Sequence, residues 1–436
     1  MSFLAIVLFA ATVSPISNHP QDAVPAPAPA SPSTSVLLGS VPDGELQAPP
    51  AALTLQQAVA LAEQNNPLLS EASAQVDRAR AGIQTARAYP NPTLEVLGGH
   101  QSARAVATPG VPGALLHYSA TQTLEIPLER RARIRASRLE LTSTRYFQAG
   151  TQLSVLADVK LAFYDVLRRK QEVGQAKENL ALVNDLRRRV EVRVRVGEAG
   201  RLELTRADAE QARAQALVTV AQVQLARSLA SLRAVIGVQT EVNLDPQGNL
   251  EGRVQLPPLR ELRVHVLAAH PALQEAKTQT ERAQALVADQ RALRIPQPNI
   301  YGEYEHQPDL TFYRFGVTIP LPIWDRRKGP IGEAKAEVTR SQAASKRRQV
   351  ELIAALERSY DQYELMNKQV DSLQAGSLHE AEAAVQAARA AYKFGERGII
   401  EVLDAQRVLQ GVRGDLLDAM YGRQSALVDL EELGAV

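Results

Sequence analysis

The chain contains no cysteine. That absence excludes disulfides, thiolate metal sites, cysteine nucleophiles and a lipid anchor attached through cysteine. Aromatic residues are scarce, 4% of 436 residues with a single Trp, which argues against a large compact α/β core. Charge of one sign is also missing: 49 Lys and Arg against 48 Asp and Glu leave a net +1. No bulk positive field is present to hold nucleic acid. No stretch is long and apolar enough for a transmembrane helix. Residues 3–13, Phe-Leu-Ala-Ile-Val-Leu-Phe-Ala-Ala-Thr-Val, are too short to span a bilayer but have the length of a secretory h-region. Residues 1–17 are therefore expected to be a signal peptide, although no Lys or Arg precedes the run and the first is Arg78.

What the chain does have is Ala, Leu, Val, Gln, Glu and Arg, the composition of long helices and coiled coils. It also says nearly the same thing twice. Tyr89-Pro90-Asn91-Pro92-Thr93-Leu94 returns as Ile295-Pro296-Gln297-Pro298-Asn299-Ile300. Leu124-Glu125-Ile126-Pro127-Leu128 returns as Val317-Thr318-Ile319-Pro320-Leu321. Val196-Gly197-Glu198-Ala199-Gly200-Arg201-Leu202-Glu203-Leu204 returns as Phe394-Gly395-Glu396-Arg397-Gly398-Ile399-Ile400-Glu401-Val402. The order is the same in both halves, so one structural unit is duplicated in tandem and the protomer has a pseudo-twofold. The expected divisions are a Pro/Ala-rich linker over 18–52, a first repeat over 53–237, a linking segment over 238–258 and a second repeat over 259–434.

Within each repeat the local signals agree. Thr54 is placed to cap a short helix to Asn65, and Pro67 to open a second helix that ends before Tyr89-Pro90-Asn91-Pro92. Residues 117–126 alternate, with Tyr118, Ala120, Gln122, Leu124 and Ile126 on one face, and pair with 93–100 across a loop containing Gly and Pro. Residues 310–319 repeat the pattern, with Tyr313, Phe315, Val317 and Ile319 outward and 299–306 as partner. Segments of roughly ten residues suit tilted strands crossing a bilayer. After each hairpin a very long helix is expected, the first over about 128–195, which at 1.5 Å per residue reaches about 100 Å. Seven-residue steps at Val159, Val166, Val173, Leu180, at Ala176, Val183, Val190 and at Leu356, Tyr363, Val370 predict coiled-coil packing. Gly-containing turns at 197–200 and 395–398 reverse the chain into return helices over about 201–237 and 399–433.

Four strands cannot close a barrel, and an open edge in lipid leaves backbone groups unpaired at several kcal/mol each. Three chains would pool twelve. The predicted fold class is mainly α with a small β part: a duplicated helical-hairpin/β-hairpin protomer that forms a trimeric 12-stranded β-barrel and a long α-helical coiled-coil tunnel.

These residues carry a resemblance. Asn66-Pro67, the Tyr89–Leu94 motif, the duplicated Ile-Pro-Leu strand ends, and Tyr392-x-x-Gly395 followed by Ile400-Glu401-Val402-Leu403-Asp404-Ala405-Gln406 make the chain similar to the TolC family of outer-membrane efflux proteins. The likeness runs from Leu53 to Leu433. Ile319-Pro320-Leu321-Pro322-Ile323-Trp324-Asp325-Arg326-Arg327-Lys328-Gly329 looks most like the CzcC-related branch, which serves heavy-metal efflux. The resemblance implies a homotrimeric, passive export duct in the outer membrane of a Gram-negative bacterium, in contact with outer-membrane lipid and with a long periplasmic extension. It implies as partners a periplasmic adaptor (membrane fusion) protein and an inner-membrane pump of the RND type, with heavy-metal cations as cargo. Many relatives carry a lipidated N-terminal cysteine, which this sequence lacks. By position, Glu401 and Asp404 match the acidic pore constriction, and Tyr392, Arg397 and Glu203 match the closed-state clamp, with Arg397 expected to bridge Glu203. Val196, Gly197, Gly200, Arg201, Phe394, Gly395, Gly398 and Ile399 match the adaptor-contacting tips.

Read without the family, Glu401 and Asp404 are three apart and share a helix face, which by itself reads as a solvated face; the matching pair in the first half is Glu203 and Arg206. The histidines, His19, His100, His117, His265, His270, His306 and His379, show no metal-ligand spacing, so no metal site and no cofactor is expected. Arg130, Arg131, Arg133 and Arg135, and Arg326, Arg327 and Lys328, begin helices and fit either anionic head groups or water. No phosphate loop and no Ser-His-Asp arrangement is present, so no catalytic residues and no enzymatic activity are expected. Two other classes fit parts of the pattern. A periplasmic adaptor would have one hairpin where this chain has two, and a coiled-coil scaffold leaves the alternating 313–319 segment unexplained. Within the channel class, multidrug export and type I secretion are the alternatives to metal efflux.

Overall fold

The computed structural model describes residues 51–102, 111–238 and 244–435. The expected signal segment, nearly all of the Pro/Ala-rich linker, the loop between the first two strands and part of the 238–258 segment lie outside the described residues. The described chain runs β1 (Ala51–Leu53), α1 (Leu55–Asn65), α2 (Pro67–Arg87), β2 (Thr93–Gln101), β3 (Gly113–Thr123), α3 (Pro127–Arg195), α4 (Arg201–Ile236) and β4 (Leu244–Pro246). It continues as α5 (Leu259–Ala269), α6 (Pro271–Ala292), β5 (Asn299–His306), β6 (Thr311–Thr318), α7 (Lys328–Ser372), a π-helical turn (Leu373–Ser377), α8 (Leu378–Lys393) and α9 (Ile399–Glu432).

The corners repeat because the capping chemistry repeats. Thr54 and Gln57 form a capping box at the start of α1, side chain to backbone in both directions. Asn66 then caps α2, its Oδ1 accepting the Leu68 N–H at 2.8 Å, with Pro67 at the first helical position. In the second half His270 takes the same role: Nδ1 accepts the Ala272 N–H at 3.2 Å, and Pro271 follows. Asn66 also donates to the Val235 carbonyl at 2.7 Å, which fastens this corner to the end of α4. There Gly237 adopts φ 82°, and a Cβ on it would stand 2.6 Å from the Asn65 carbonyl oxygen. Only glycine fits so close an approach.

The four long strands form one antiparallel sheet in the order β2-β3-β5-β6, so the two halves meet at β3 and β5. Register sorts the side chains into two faces. Val96, Tyr118, Tyr304 and Tyr313 lie in one row, and Leu94, Ala120, Gly302 and Phe315 in the next. Tyr304 packs between Tyr118 and Tyr313, with ring centroids 6.1 and 5.2 Å away. The other face carries Glu95, Ser119, Glu303 and Arg314 in one row. Arg314 pairs there with Glu303, and with Glu305 at 2.7 Å. One face is made for lipid and the other for a wet lumen. β3 starts at Gly113, earlier than the expected residue 117, because its first residues, Gly-Ala-Leu-Leu, lack the polar–apolar alternation.

The helices lie side by side around α3, which is 69 residues long with its only proline, Pro127, at the first position. Nearer the sheet, α3 packs on α2 and α6, and α6 on α7; farther away, α3 packs on α4 and α9, and α9 on α7 and α8. Burial is correspondingly divided. One cluster joins Phe163 and Val166 to Leu232, Ile236, Leu244 and Leu250, another joins Leu262 and Leu356 to Leu430, and a third joins Val190 to Tyr392, Ile399 and Val402. Thin clusters along a wall replace a single core. Val159, Val166, Val173, Val183 and Val190 are buried as the seven-residue steps require, whereas Asn179 takes the seam in place of Leu180. Its Oδ1 accepts from Gln406 of α9 at 3.3 Å.

The second arm differs from the first in one respect. It is interrupted by the π turn at Leu373–Ser377, so α7 and α8 together replace what is one continuous helix in the first half. β1 and β4 pair in parallel, an association between residues far apart in sequence. Tyr363 holds the following segment down, donating to the Val254 carbonyl at 2.7 Å and accepting its N–H at 2.8 Å.

Candidate functional site

The ends of the two helical hairpins have the same geometry. After α3, Gly197 takes φ 80°; its N–H donates to the Val194 carbonyl, and the Glu198 N–H donates to that of Arg193 at 2.8 Å. After α8, Gly395 takes φ 74°; its N–H donates to Tyr392 and that of Glu396 to Ala391 at 3.0 Å. Both are Schellman caps, closed by a left-handed glycine. Gly200 and Gly398 then open α4 and α9 with extended backbone. Val196 and Phe394 are exposed, 63% and 76%, and Arg201 is exposed as well, whereas Ile399 is buried in the tip cluster. An open groove of about 1290 Å³ runs between the end of α3 and α8, lined by Leu182, Val192, Arg193, Tyr392 and Phe394 among others.

The first turns of α9 divide cleanly into two faces. Val402, Leu403 and Gln406 are buried against the rest of the protomer, while Glu401 and Asp404 are exposed together on the opposite side. Asp404 is held by Arg407 at 2.9 Å, and Arg407 also reaches Glu210 of α4 at 3.0 Å. Glu401 makes no ion pair among the described residues, so it is the uncompensated carboxylate of the two.

Tyr392 and Glu203 come to one place, but through a residue the sequence did not single out. Arg193, at the end of α3, lays its guanidinium 5.2 Å from the Tyr392 ring centroid. Neither the buried Tyr392 hydroxyl nor Glu203 Oε2 has a hydrogen-bond partner of regular geometry. The nearness of that hydroxyl, with Glu203 and Glu198 adding their charge, raises the Arg193 pKa above its ordinary value. Arg397 is exposed on the second tip and forms no ion pair with Glu203 or any other described residue of the same chain. A cation in the last turn of a helix favours the dipole, but Arg193 shares that position with Arg195 and nothing local names the ring it meets.

The histidines do not converge. His117 faces Glu305 on the polar side of the sheet, His306 faces Leu116 on the other, and His270 is a helix cap. Among the described residues no group of three His, Cys, Asp or Glu side chains is placed to hold a metal ion. No described helix is long and apolar enough to cross a membrane.

Comparison with known proteins agrees with this architecture. The chain is 28% identical to the cobalt-zinc-cadmium resistance protein CzcC of Cupriavidus metallidurans over 82% of this chain and 84% of that protein. It is 26% identical to the nickel-cobalt-cadmium resistance protein NccC of Alcaligenes xylosoxydans xylosoxydans over 75% of this chain and 74% of that one. The crystal structure of CusC, described for its folding and transmembrane channel formation, superposes with a TM-score of 0.74 at 21% identity, covering 87% of this chain and 91% of CusC. The outer membrane efflux protein family matches residues 58–238 and 262–435, the two repeats in turn. The chain belongs to the outer membrane efflux protein family, and is an outer-membrane channel whose protomers assemble as a trimeric barrel and helical tunnel within a tripartite efflux system.

Proposed function

We propose that the channel exports divalent heavy-metal cations, delivered by an RND-type inner-membrane pump through a periplasmic adaptor. The observation that carries this reading is the exposed carboxylate face of α9, Glu401 with Asp404, set on the side away from the buried contacts of its own protomer. Three copies around an axis gather six carboxylates, the arrangement by which acidic rings favour cations in a pore. Arg407 offsets Asp404, so Glu401 carries most of the attraction. The names of CzcC and NccC, both metal-resistance proteins, support the same cargo.

The exposed tips around Val196, Gly197, Gly200, Arg201, Phe394, Gly395, Gly398 and Ile399 are the proposed adaptor contacts, with the groove between α3 and α8 beside them. The proposed clamp uses Tyr392, Glu203 and Arg397. Within a protomer Arg193 already engages Tyr392, so the part left to Arg397 is a contact between protomers.

One experiment tests these roles together. A deletion strain is complemented with the wild-type gene, with Glu401→Gln or with Arg397→Glu, and grown on Zn, Co, Cd, Ni, Cu and Ag ions beside dyes, detergents and antibiotics. Deletion should sensitise cells to metals alone, and Glu401→Gln should restore only part of the resistance. Arg397→Glu should admit large antibiotics that the outer membrane normally excludes. Sensitivity to the organic compounds alone would move the cargo to multidrug export, and unchanged antibiotic entry would remove Arg397 from the clamp.

A further inference from the structure

The two halves leave their strands differently. Only residues 124–126 separate β3 from α3, and Pro127 is already in the helix. Between β6 and α7 the chain inserts Ile319-Pro320-Leu321-Pro322-Ile323-Trp324-Asp325-Arg326-Arg327. In this segment Leu321, Ile323 and Trp324 are 68%, 57% and 92% exposed in the protomer. Large apolar side chains gain by leaving water, so three of them held out into solvent would be a substantial loss.

The segment is nevertheless built to hold them out. Pro320 and Pro322 fix φ, and the Ile323 N–H donates to the Leu321 carbonyl at 2.9 Å. Asp325 Oδ1 accepts the Arg327 N–H at 2.7 Å. Arg327 itself takes a left-handed φ of 55°, and its guanidinium is tied to Gln290 Oε1 at 2.9 Å. Trp324 therefore projects from a stiffened loop anchored to α6.

Its surroundings name the partner. The lipid-facing stripe of β6, Tyr313, Phe315 and Val317, continues past the strand as exposed Ile319 and Leu321. Beyond Trp324 come the exposed Arg326 and Lys328. Apolar strand face, then tryptophan, then cations is the order of a bilayer from hydrocarbon to head group. We propose that residues 319–328 form a membrane-interface foot, one per protomer. Trp324 sits at the glycerol and carbonyl level of the periplasmic leaflet, and Arg326 and Lys328 bind phospholipid phosphates. The proposal rests on the outer-membrane barrel. It adds an anchoring segment, residues 322–327, that has no counterpart in the first repeat. Lipid is favoured over a neighbouring protomer because the loop continues the exposed apolar stripe of β6.

Trp324 is the only tryptophan in the chain, so its fluorescence reports this one position without any substitution. The full trimer is reconstituted into vesicles of phosphatidylethanolamine and phosphatidylglycerol that contain phospholipid brominated either near the carbonyl end or near the chain terminus. The foot predicts loss of most of the emission with the shallow bromine and little change with the deep one. Arg326→Glu combined with Lys328→Glu should weaken the shallow quenching in anionic vesicles and leave it unchanged in vesicles of phosphatidylcholine alone. Blue-shifted emission that neither bromolipid quenches would place Trp324 against a neighbouring protomer, and red-shifted emission quenched by aqueous acrylamide would place it in water. Either result overturns the proposal. Ion conductance across the same vesicles separates the two claims: conductance with an unquenched Trp324 removes only the foot, whereas vesicles without conductance fault the inserted barrel itself.

Discussion

His270 serves as the N-cap of α6. Its Nδ1 accepts the Ala272 N–H, which requires an unprotonated nitrogen. Burial, and then the nearby charge of Arg348, lower its pKa from the usual 6.5. The folded state therefore binds fewer protons than the unfolded chain between the lowered value and about 6.5. Stability from this group is complete above that range and is lost as pH falls through the folded pKa. Thermal melting should show a decline of the wild type below about pH 6.5, and His270→Asn, which copies the Asn66 cap, should flatten it. Equal slopes for the two proteins would remove His270 as the cause. At the tip, the sequence pointed to Tyr392 and Glu203 but missed Arg193. A cation–ring contact between α3 and α8 joins residues nearly two hundred apart, and no local pattern encodes such a pairing.

At the scale of elements, what was legible was local. Thr54 capping α1, Pro67 opening α2 and the alternation of Tyr313, Phe315 and Val317 follow from chemistry within a few residues. The start of β3 was missed because Gly113–Leu116 has no period to read. The π turn within the second arm has no proline to announce it, and the β1–β4 pair is a distant association. The tips were readable because each needs a left-handed residue after its helix, and glycine supplies it at Gly197 and Gly395. Replacing either by Ala should cost about 1 kcal/mol and open its tip, raising local amide exchange about fivefold. Gly200→Ser, at an extended N-cap, should not accelerate exchange. Equal acceleration by all three substitutions would contradict the role given to backbone geometry.

At the scale of the whole molecule, duplication solves a problem of supply. One chain brings four strands and an arc of helices, neither of which closes, and its buried clusters are strung along a wall instead of gathered in a core. Pooling three chains removes the open strand edges and encloses a lumen. The two repeats then diverge in charge near the tips and in the segment that precedes α7. Glu401 and Asp404 occupy the positions that Glu203 and Arg206 hold in the first half, and residues 322–327, with Trp324, have no counterpart after Ile126-Pro127-Leu128.

A cation-favouring passage set by α9 would appear in the reversal potential of the trimer in a planar bilayer under a KCl gradient. The wild type should reverse toward the potassium potential, and Glu401→Gln combined with Asp404→Asn should move the reversal toward zero while the trimer remains assembled. A wild type that already reverses at zero, or a double variant with unchanged selectivity, would contradict it.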